Sequence, residues 1–183
     1  MGIGTVLLNS PQYMKTSKIF IATCQICLFI YLTSCKSPQN TLKSDANSEK
    51  NKKVSIKGDK VTTYAEKFLG SKYKMAGTTP AGFDCSGYCQ FVYNEFGISL
   101  PRTSDEQAKI GKTVPTNQAQ KGDLIFFRGS NKNKPAVGHV GIVVSSPGER
   151  VKFIHASTSK GVIHDYLDVK YFSERFVTIK RIW

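Results

Sequence analysis

The fold is decided by one continuous stretch, Gly77-Thr-Thr-Pro-Ala-Gly-Phe-Asp-Cys85-Ser-Gly-Tyr-Cys-Gln-Phe-Val-Tyr-Asn-Glu-Phe96-Gly97. Here a polar loop passes directly into a segment with apolar residues at helical spacing, and Cys85 stands at the junction. The first N–H groups of a helix lack partners within the helix, and with the helix dipole they place partial positive charge beside that thiol. We therefore predict a helix that starts at Cys85 and shifts its thiol toward the thiolate.

Helices are also expected on both sides of this stretch. Apolar residues recur at helical spacing over 61–69, and the segment 101–111 has Thr103 or Ser104 as a cap, followed by acidic residues. The inner face of the central helix is predicted to consist of four residues at three- and four-residue steps, Tyr88, Cys89, Val92 and Phe96. On this pattern Cys89 is interpreted as a small core residue.

After Val114 the pattern changes from helical to strand periodicity. Turn sequences separate five short apolar segments that we expect to be strands: 123–128, 139–144, 151–155, 162–166 and 176–183. Helices followed by a meander of strands predict an α+β fold, with the N-terminal helices packed on an antiparallel sheet of five or six strands. A chain of 183 residues has room for one such domain, placed at 58–183, together with a targeting segment and a tether.

The chain is strongly basic, with 26 Lys and Arg against 13 Asp and Glu. Only Lys15 and Lys18 of these charges precede Cys35, so residues 36–183 still carry a net charge of +11. Such a surface favours nucleic acid, anionic lipid or a carboxylate-rich cell-wall polymer. We expect no nucleic-acid partner, because no such binding motif is present and the aromatic residues fall in apolar periodic segments.

The first residues have the pattern of an export signal. Lys15 and Lys18 precede an uncharged run over 19–32, which has the length of a secretory signal core and is too short to span a bilayer. Residues 1–34 are therefore expected to be a signal peptide, whose true start can be Met14.

A lipid anchor is expected directly after this signal. Leu32-Thr-Ser-Cys35 resembles the lipobox of bacterial lipoproteins, in which the cysteine carries lipid and becomes the first mature residue. The stretch after it is rich in Ser, Asn and Lys, so 35–57 is predicted to be the lipidated Cys35 and a disordered tether. The resulting layout is a domain anchored to a bacterial membrane, with the outer membrane facing the periplasm as the expected place.

Two of the three histidines are predicted to lie close together. His139 begins one apolar strand and His155 ends the next, and in an antiparallel hairpin these two positions are neighbours. A cysteine nucleophile needs a base, and the base needs a third group that fixes its orientation. Cys85, His139 and His155 are therefore candidates for one catalytic site, whereas His164 is interpreted as a surface residue.

Six motifs follow one another in order over about 60–183: Tyr73-Lys-Met-Ala-Gly77, Gly82-Phe-Asp-Cys-Ser-Gly87, Leu100-Pro-Arg-Thr-Ser104, Lys121-Gly-Asp-Leu-Ile-Phe-Phe127, His139-Val-Gly-Ile-Val143 and Phe153-Ile-His-Ala-Ser157. Together they resemble the successive motifs of the NlpC family of cell-wall cysteine peptidases. The resemblance implies a compact papain-like fold without a cofactor or metal. It also implies hydrolysis of peptidoglycan stem peptides, typically between γ-D-glutamate and diaminopimelate or lysine. We expect a monomer.

The resemblance also implies catalytic roles. Cys85 would be the nucleophile, His139 the base and His155 the orienting third member, with Tyr73 beside the developing oxyanion. The sequence departs from the family pattern at one point: many members have two glycines after an aromatic residue, where this chain has Met75-Ala76-Gly77. That departure affects loop packing or one subsite rather than the triad.

Three further residues are candidates for substrate contact. By the resemblance, Asp84 and Ser86 would receive the free amino end of the stem peptide, although Asp84 is equally suited to cap the helix. Arg102 could meet a substrate carboxylate, but an exposed loop arginine is the simpler interpretation.

Three other functions are compatible with some of these residues. A zinc site built from Cys85, Cys89, His139 and His155 is disfavoured, because Cys-x₃-Cys on a helix departs from the usual structural spacing and Cys89 fits the core face. The same triad could serve an acyltransferase or amidase, since an amine or alcohol can resolve the acyl-thioester in place of water. A lipoprotein that binds the wall without catalysis is the third alternative, and the intact triad argues against it.

Overall fold

The computed structural model of the chain describes residues 57–130, 133 and 135–183, all of them within the unit Gln39–Trp183. The predictions for the signal peptide, for Cys35 and for nearly all of the tether fall outside these residues, and residue 57 already belongs to the first helix. Within the described part, no helix is both long enough and apolar enough to cross a membrane.

Helices precede most of the strands along the chain. The helices are α1 over 57–66, α2 at Cys85–Asn94, α3 at Ser104–Gln107, a 3₁₀ helix at Thr116–Gln118 and α4 at Lys170–Ser173. The strands are β1 at Thr78–Thr79, β2 at Gly82–Phe83, β3 at Lys112–Val114, β4 at Leu124–Arg128, β5 at Val137–Val143, β6 at Lys152–Ser157, β7 at Gly161–Tyr166 and β8 at Phe176–Arg181.

The main sheet has six antiparallel strands in the order β3-β8-β4-β5-β6-β7, and this confirms the predicted fold class. Strands β4 to β7 form the expected meander, while β8 returns to the outer side of β4. The small β1–β2 hairpin and strand β3 were missed, because two or three residues are too few to show an alternating pattern. Helix α4 was also missed, because its four residues are too few to show helical periodicity.

Both faces of the sheet are buried, which explains the uninterrupted apolar run in β4. Leu124 and Phe126 face a large core beneath α1 and α2, whereas Ile125 and Phe127 face a smaller second core that contains Phe172 of α4. Strands covered on both faces lose the alternation of polar and apolar residues. The sequence prediction accounted only for the first of these cores.

Helix α2 is fixed to the larger core by its inner face. Tyr88, Cys89 and Val92 are fully buried there, as predicted, whereas Phe96 lies beyond the helix end and is partly buried. The Tyr88 hydroxyl donates a hydrogen bond of 2.8 Å to the carbonyl oxygen of Ala65 in α1. Because a buried aromatic side chain stabilises by about 1.5–3 kcal/mol, this face holds the start of the helix at a defined place over the sheet.

Candidate active site

The helix start that carries the cysteine is built by backbone contacts. Asp84 caps α2, and its Oδ1 accepts the N–H of Gly87 at 2.7 Å. The carbonyl oxygen of Gly77 accepts the N–H of Asp84 at 3.0 Å, and a Cβ on Gly87 would lie 2.2 Å from that same oxygen. The motif Asp84-Cys-Ser-Gly87 therefore specifies a junction at which only glycine fits opposite the preceding loop.

The Cys85 thiol lies between this helix start and strand β5. Backbone hydrogen bonds from Val140, Ser86 and Cys85 itself lower the pKa of the thiol, but burial raises it by more, and the nearby Asp84 charge raises it further. The net shift is upward. The prediction of a thiolate stabilised by the helix start is therefore wrong, because loss of solvation outweighs the N–H donors.

The two predicted histidines meet on neighbouring strands, which confirms their expected placement. His139 Nε2 lies 2.8 Å from His155 Nδ1, and the two rings are nearly perpendicular at 88°. Gly141 leaves room for this contact, since a Cβ there would lie 3.2 Å from the Cβ of His155. The residue after His139 is Val140, so the thiol and this pair approach the same segment of β5.

Both histidines are neutral at physiological pH. Burial lowers the pKa of His139 to about 3, with a further contribution from His155, and burial lowers the pKa of His155 to about 4. Their rings pack among the aromatic side chains of the second core, Phe127, Phe153 and Phe172. This aromatic packing restricts the orientation of both rings.

A carboxylate that the sequence prediction missed completes this row. Asp165 Oδ2 lies 3.1 Å from His155 Nε2. The register of β6 and β7 pairs His155 with Ile163, so Asp165, two residues further along β7, lies diagonally across from His155 on the same face. The available signal was the two-residue period of β7, which could have been combined with the position of His155.

The three residues proposed for substrate contact are brought together at the helix start. Arg102 Nη2 lies 2.6 Å from Asp84 Oδ2, and its Nη1 donates to Asp84 Oδ1 at 3.1 Å and to Ser86 Oγ at 3.0 Å. The Ser86 hydroxyl also donates to Asp84 Oδ1 at 3.3 Å. Arg102 is therefore exposed, as in the simpler interpretation, but is also bound to Asp84 and Ser86, and Asp84 does cap the helix.

Gln107 was also missed by the sequence prediction. Its side chain is fully buried, and its Nε2 donates to the carbonyl oxygens of Ser86 at 3.1 Å and of Pro101 at 2.8 Å. It thereby ties the loop that carries Arg102 to the first turn of α2. Nothing in the local sequence distinguishes this buried glutamine from an exposed one on a short helix.

Tyr73 lies beside the thiol, as predicted. Burial raises the pKa of its hydroxyl, and the neighbouring Cys85 and Asp84 side chains raise it further. The loop before it is bound to β7, since the N–H of Gly70 donates to the carbonyl of Val162 and the N–H of Val162 donates to the carbonyl of Ser71, both at 2.9 Å.

The unusual Met75-Ala76 sequence occupies the loop after Tyr73. Ala76 has a φ of 58°, a left-handed conformation that costs a residue with a Cβ more than it costs glycine. Met75 is 81% exposed. The departure from the family pattern thus lies in an exposed loop with a residue in the left-handed conformation.

A cleft of about 600 Å³ lies beside the histidine pair. Its walls include His139, His155 and Asp165, together with the cationic Arg128 and Lys160.

His164 does not join the site, but it is not a simple surface residue either. Its side chain is 24% exposed, and its Nε2 lies 3.4 Å from Glu66 Oε1. As for metals, no group of three or more His, Cys, Asp or Glu side chains among the described residues is arranged to hold an ion.

The geometry agrees with comparisons to known proteins. The model of the NlpC/P60 family matches residues 70–181. The chain belongs to the NlpC/P60 family. This confirms the resemblance carried by the six motifs.

Two curated relatives and one solved structure illustrate the similarity. The probable endopeptidase NlpC homolog of Haemophilus influenzae is 37% identical over 134 residues, which cover 72% of this chain and 67% of that protein. The murein DD-endopeptidase MepS/murein LD-carboxypeptidase of Escherichia coli K12 is 35% identical over 130 residues, covering 70% and 64%. An NlpC/P60 family protein from Bacillus cereus superposes with a TM-score of 0.61 and 33% identity, over 68% of this chain and 39% of that one. The similarity thus spans about two thirds of the curated relatives.

Proposed function

We propose that this chain is a cysteine endopeptidase that cleaves the stem peptides of bacterial peptidoglycan. One observation carries the proposal: the Cys85 sulfur contacts the backbone of Val140, directly after His139, whose Nε2 is held by His155 at 2.8 Å. Membership of the NlpC/P60 family supports it, as do the names of relatives that are endopeptidases.

The reaction starts from a neutral thiol and a neutral imidazole, as the pKa shifts require. Because His155 engages Nε2 of His139, Nδ1 is the nitrogen left to accept the proton of Cys85. As the proton moves to Nδ1, the sulfur bonds to the carbonyl carbon of the peptide. His155 holds the ring of the resulting imidazolium and accepts its Nε2–H.

The attack places negative charge on the carbonyl oxygen of the substrate. The Tyr73 hydroxyl and the N–H of Cys85 or Ser86 are the proposed donors, and the loss of one such donor typically costs about 10²–10³ in rate. The C–N bond then breaks as the Nδ1 proton of His139 passes to the leaving amine. Water hydrolyses the acyl-thioester, which returns the thiol and releases the carboxylic acid.

The acyl half of the substrate is proposed to lie over Asp84, Ser86 and Arg102. Asp84 Oδ1 takes the Gly87 N–H and the Ser86 hydroxyl, whereas Oδ2 faces Arg102. A carboxylate oxygen has more than one lone pair, so Oδ2 keeps capacity for the ammonium of a stem-peptide amino end. Arg102 is proposed to bind a carboxylate of the same peptide.

The bond proposed for cleavage is the one between γ-D-glutamate and diaminopimelate or lysine. The relative in Escherichia coli is named for a DD-endopeptidase, which acts on a different bond, so the products must identify the bond directly. The test is digestion of muropeptides of known structure by the purified chain, with every product assigned by mass spectrometry.

Two cysteine variants complete this experiment. Cys85→Ala should abolish product formation, whereas Cys89→Ala, a change four residues further along the same helix, should keep the activity and lose some stability. A wild-type chain that leaves all muropeptides intact while it binds sacculi would refute the peptidase. Transfer to added glycine amide in preference to water would instead identify an acyltransferase.

We also propose that Cys35 carries lipid and holds a monomeric enzyme at the outer membrane, facing the periplasm. The support is the order of charged residues, apolar run and Leu32-Thr-Ser-Cys35 in the sequence. Cys35→Ser should move the protein from the membrane fraction to the soluble fraction. Continued membrane association of that variant would contradict the anchor.

A further inference from the structure

We propose that Asp165 is a positioning residue that fixes the tautomers of both histidines, so that Nδ1 of His139 presents a lone pair rather than a proton to Cys85. The proposal rests on the proposed function, since it assigns the origin of the base in that mechanism. Asp165 would act through His155 and would not touch the substrate.

The three side chains form a row across three adjacent strands. His139 lies on β5, His155 on β6 and Asp165 on β7, and the row is joined by contacts of 2.8 Å and 3.1 Å. Regular pairing of β6 with β7, including Phe153 opposite Asp165, holds the carboxylate in its place. The row ends at Asp165, whose side chain is 31% exposed at the cleft.

The carboxylate at the end of the row decides which ring nitrogen of each histidine carries the proton. An ionised carboxylate can only accept hydrogen bonds, so His155 must carry its proton on Nε2. A neutral imidazole has one N–H, which leaves His155 Nδ1 as an acceptor. His139 must then donate from Nε2, and its Nδ1 is left as the lone pair that a general base needs.

Without Asp165, no group in the row is restricted to accepting hydrogen bonds, and neither set of histidine tautomers is favoured. Both histidines are neutral because burial keeps their pKa values low, so each could take either tautomer. With all protons reversed, the distance of 2.8 Å between the rings would be equally satisfied, but Nδ1 of His139 would carry a proton and could not serve as the base. Asp165 removes this inactive arrangement.

The carboxylate also favours the charged state that forms during the reaction. The negative charge of Asp165 acts on His139 in the direction that raises its pKa. A proton taken from Cys85 is therefore held more readily when Asp165 is ionised. This effect adds to the tautomer effect, and both are lost when the charge is removed.

The chain offers a matched control aspartate shortly after β7. Asp168 lies three residues further along, 58% exposed, and pairs with Arg150 at 2.6 Å. We would compare Asp165→Asn and Asp165→Ala with Asp168→Asn, measuring kcat and KM on the muropeptide and thermal unfolding. Where a carboxylate contacts the catalytic histidine directly, its loss costs about 10⁴ in kcat. With one imidazole between, we expect a drop of about 10- to 100-fold in kcat for the Asp165 variants, unchanged KM, and no change for Asp168→Asn.

A second measurement does not depend on activity. Long-range ¹H–¹⁵N spectra of the full chain with ¹⁵N-labelled histidine report which ring nitrogen carries the proton, and His164→Gln assigns the third ring. Wild type should show His139 and His155 as Nε2–H tautomers at neutral pH, and the Asp165 variants should show a mixture.

The outcomes separate the two proposals. An Nδ1–H tautomer for either histidine in the wild type would overturn the role of Asp165, and so would unchanged tautomers in the variants, even if kcat fell. A wild-type chain that cleaves no muropeptide would refute the proposed function, while the spectra would still decide the role of Asp165.

Discussion

The cysteine and the histidines are held by two regions that are built in different ways. Cys85 is positioned by backbone: the capped first turn of α2, the close approach of Gly87 to Gly77, and the large core under the helix. His139 and His155 are positioned by side chains, through a row of hydrogen bonds and aromatic packing in the second core. A helix start built by backbone contacts can be recognised from a short sequence motif. A row of hydrogen-bonded side chains cannot, because its residues lie far apart in the sequence.

The largest effect is expected from replacing His139, the proposed base, while the helix that carries Cys85 is left unchanged. His139→Ala should lower kcat by about 10⁴, because the proton of Cys85 then has no acceptor. The helix side should stay intact, so Cys85 should still react with iodoacetamide at pH 9 to the extent seen in the wild type. Steady-state kinetics and intact-mass analysis measure the two effects.

The histidine His164, which lies outside the site, provides the control for that variant. His164→Ala should keep kcat within about twofold, as is usual for changes away from the reacting groups. If His139→Ala retained a tenth of the wild-type rate, the base would have to be sought elsewhere.

The second prediction concerns stability and pH, and it applies to the sheet side. The pKa of His155 is about 4 in the folded protein and 6.5 ordinarily, so the unfolded chain binds more protons below pH 6.5 and stability falls as the pH drops toward 4. From pH 7 to pH 5 the free energy of unfolding should decrease by about 2 kcal/mol for this one histidine. Urea denaturation at the two pH values measures the change.

Substitution of His155 separates its contribution to the pH dependence of stability from those of the other titrating groups. His155→Gln should reduce the dependence on pH, since the buried titrating group is gone. If the dependence were the same in this variant, the low pKa of His155 would not be its cause.

The smallest effect is expected on the helix side, from Arg102→Met. Asp84 would lose the partner of its charge beside the thiol, and the pKa of Cys85 would rise further, because the charge of Asp84 already acts in that direction. The Arg102 side chain is 39% exposed, so we discount the usual value of such a pair and expect kcat/KM to fall about five- to tenfold. Kinetics on a muropeptide with a free amino end measures it.

A muropeptide whose amino end is acetylated serves as the reference. It should lose more to the substitution, because the ammonium of the unmodified muropeptide can replace the Arg102 charge beside Asp84, whereas the acetylated end cannot. An equal loss with both substrates would mean that Arg102 supports only the structure of the helix start.

The sequence allowed the helix start, the antiparallel meander and the meeting of His139 and His155 to be predicted, because each depends on local periodicity or on neighbouring strands. Asp165 was missed, since its contact with His155 depends on the register between β6 and β7, which the two-residue period of β7 alone does not give. The thiolate prediction failed for a related reason: the helix start is visible in the sequence, but the depth at which Cys85 is buried is a property of the packed structure.

Because Val162 is hydrogen-bonded to the loop before Tyr73, the β6–β7 hairpin has two structural roles. The hairpin carries His155 and Asp165, and it also anchors the loop that brings the tyrosine hydroxyl to the thiol. The proposed acid–base residues and the proposed oxyanion donor are therefore attached to the same hairpin. Lengthening the turn at 158–160 would disturb both at once, so tolerated insertions that alter substrate range should be found in the loop that carries Arg102 instead.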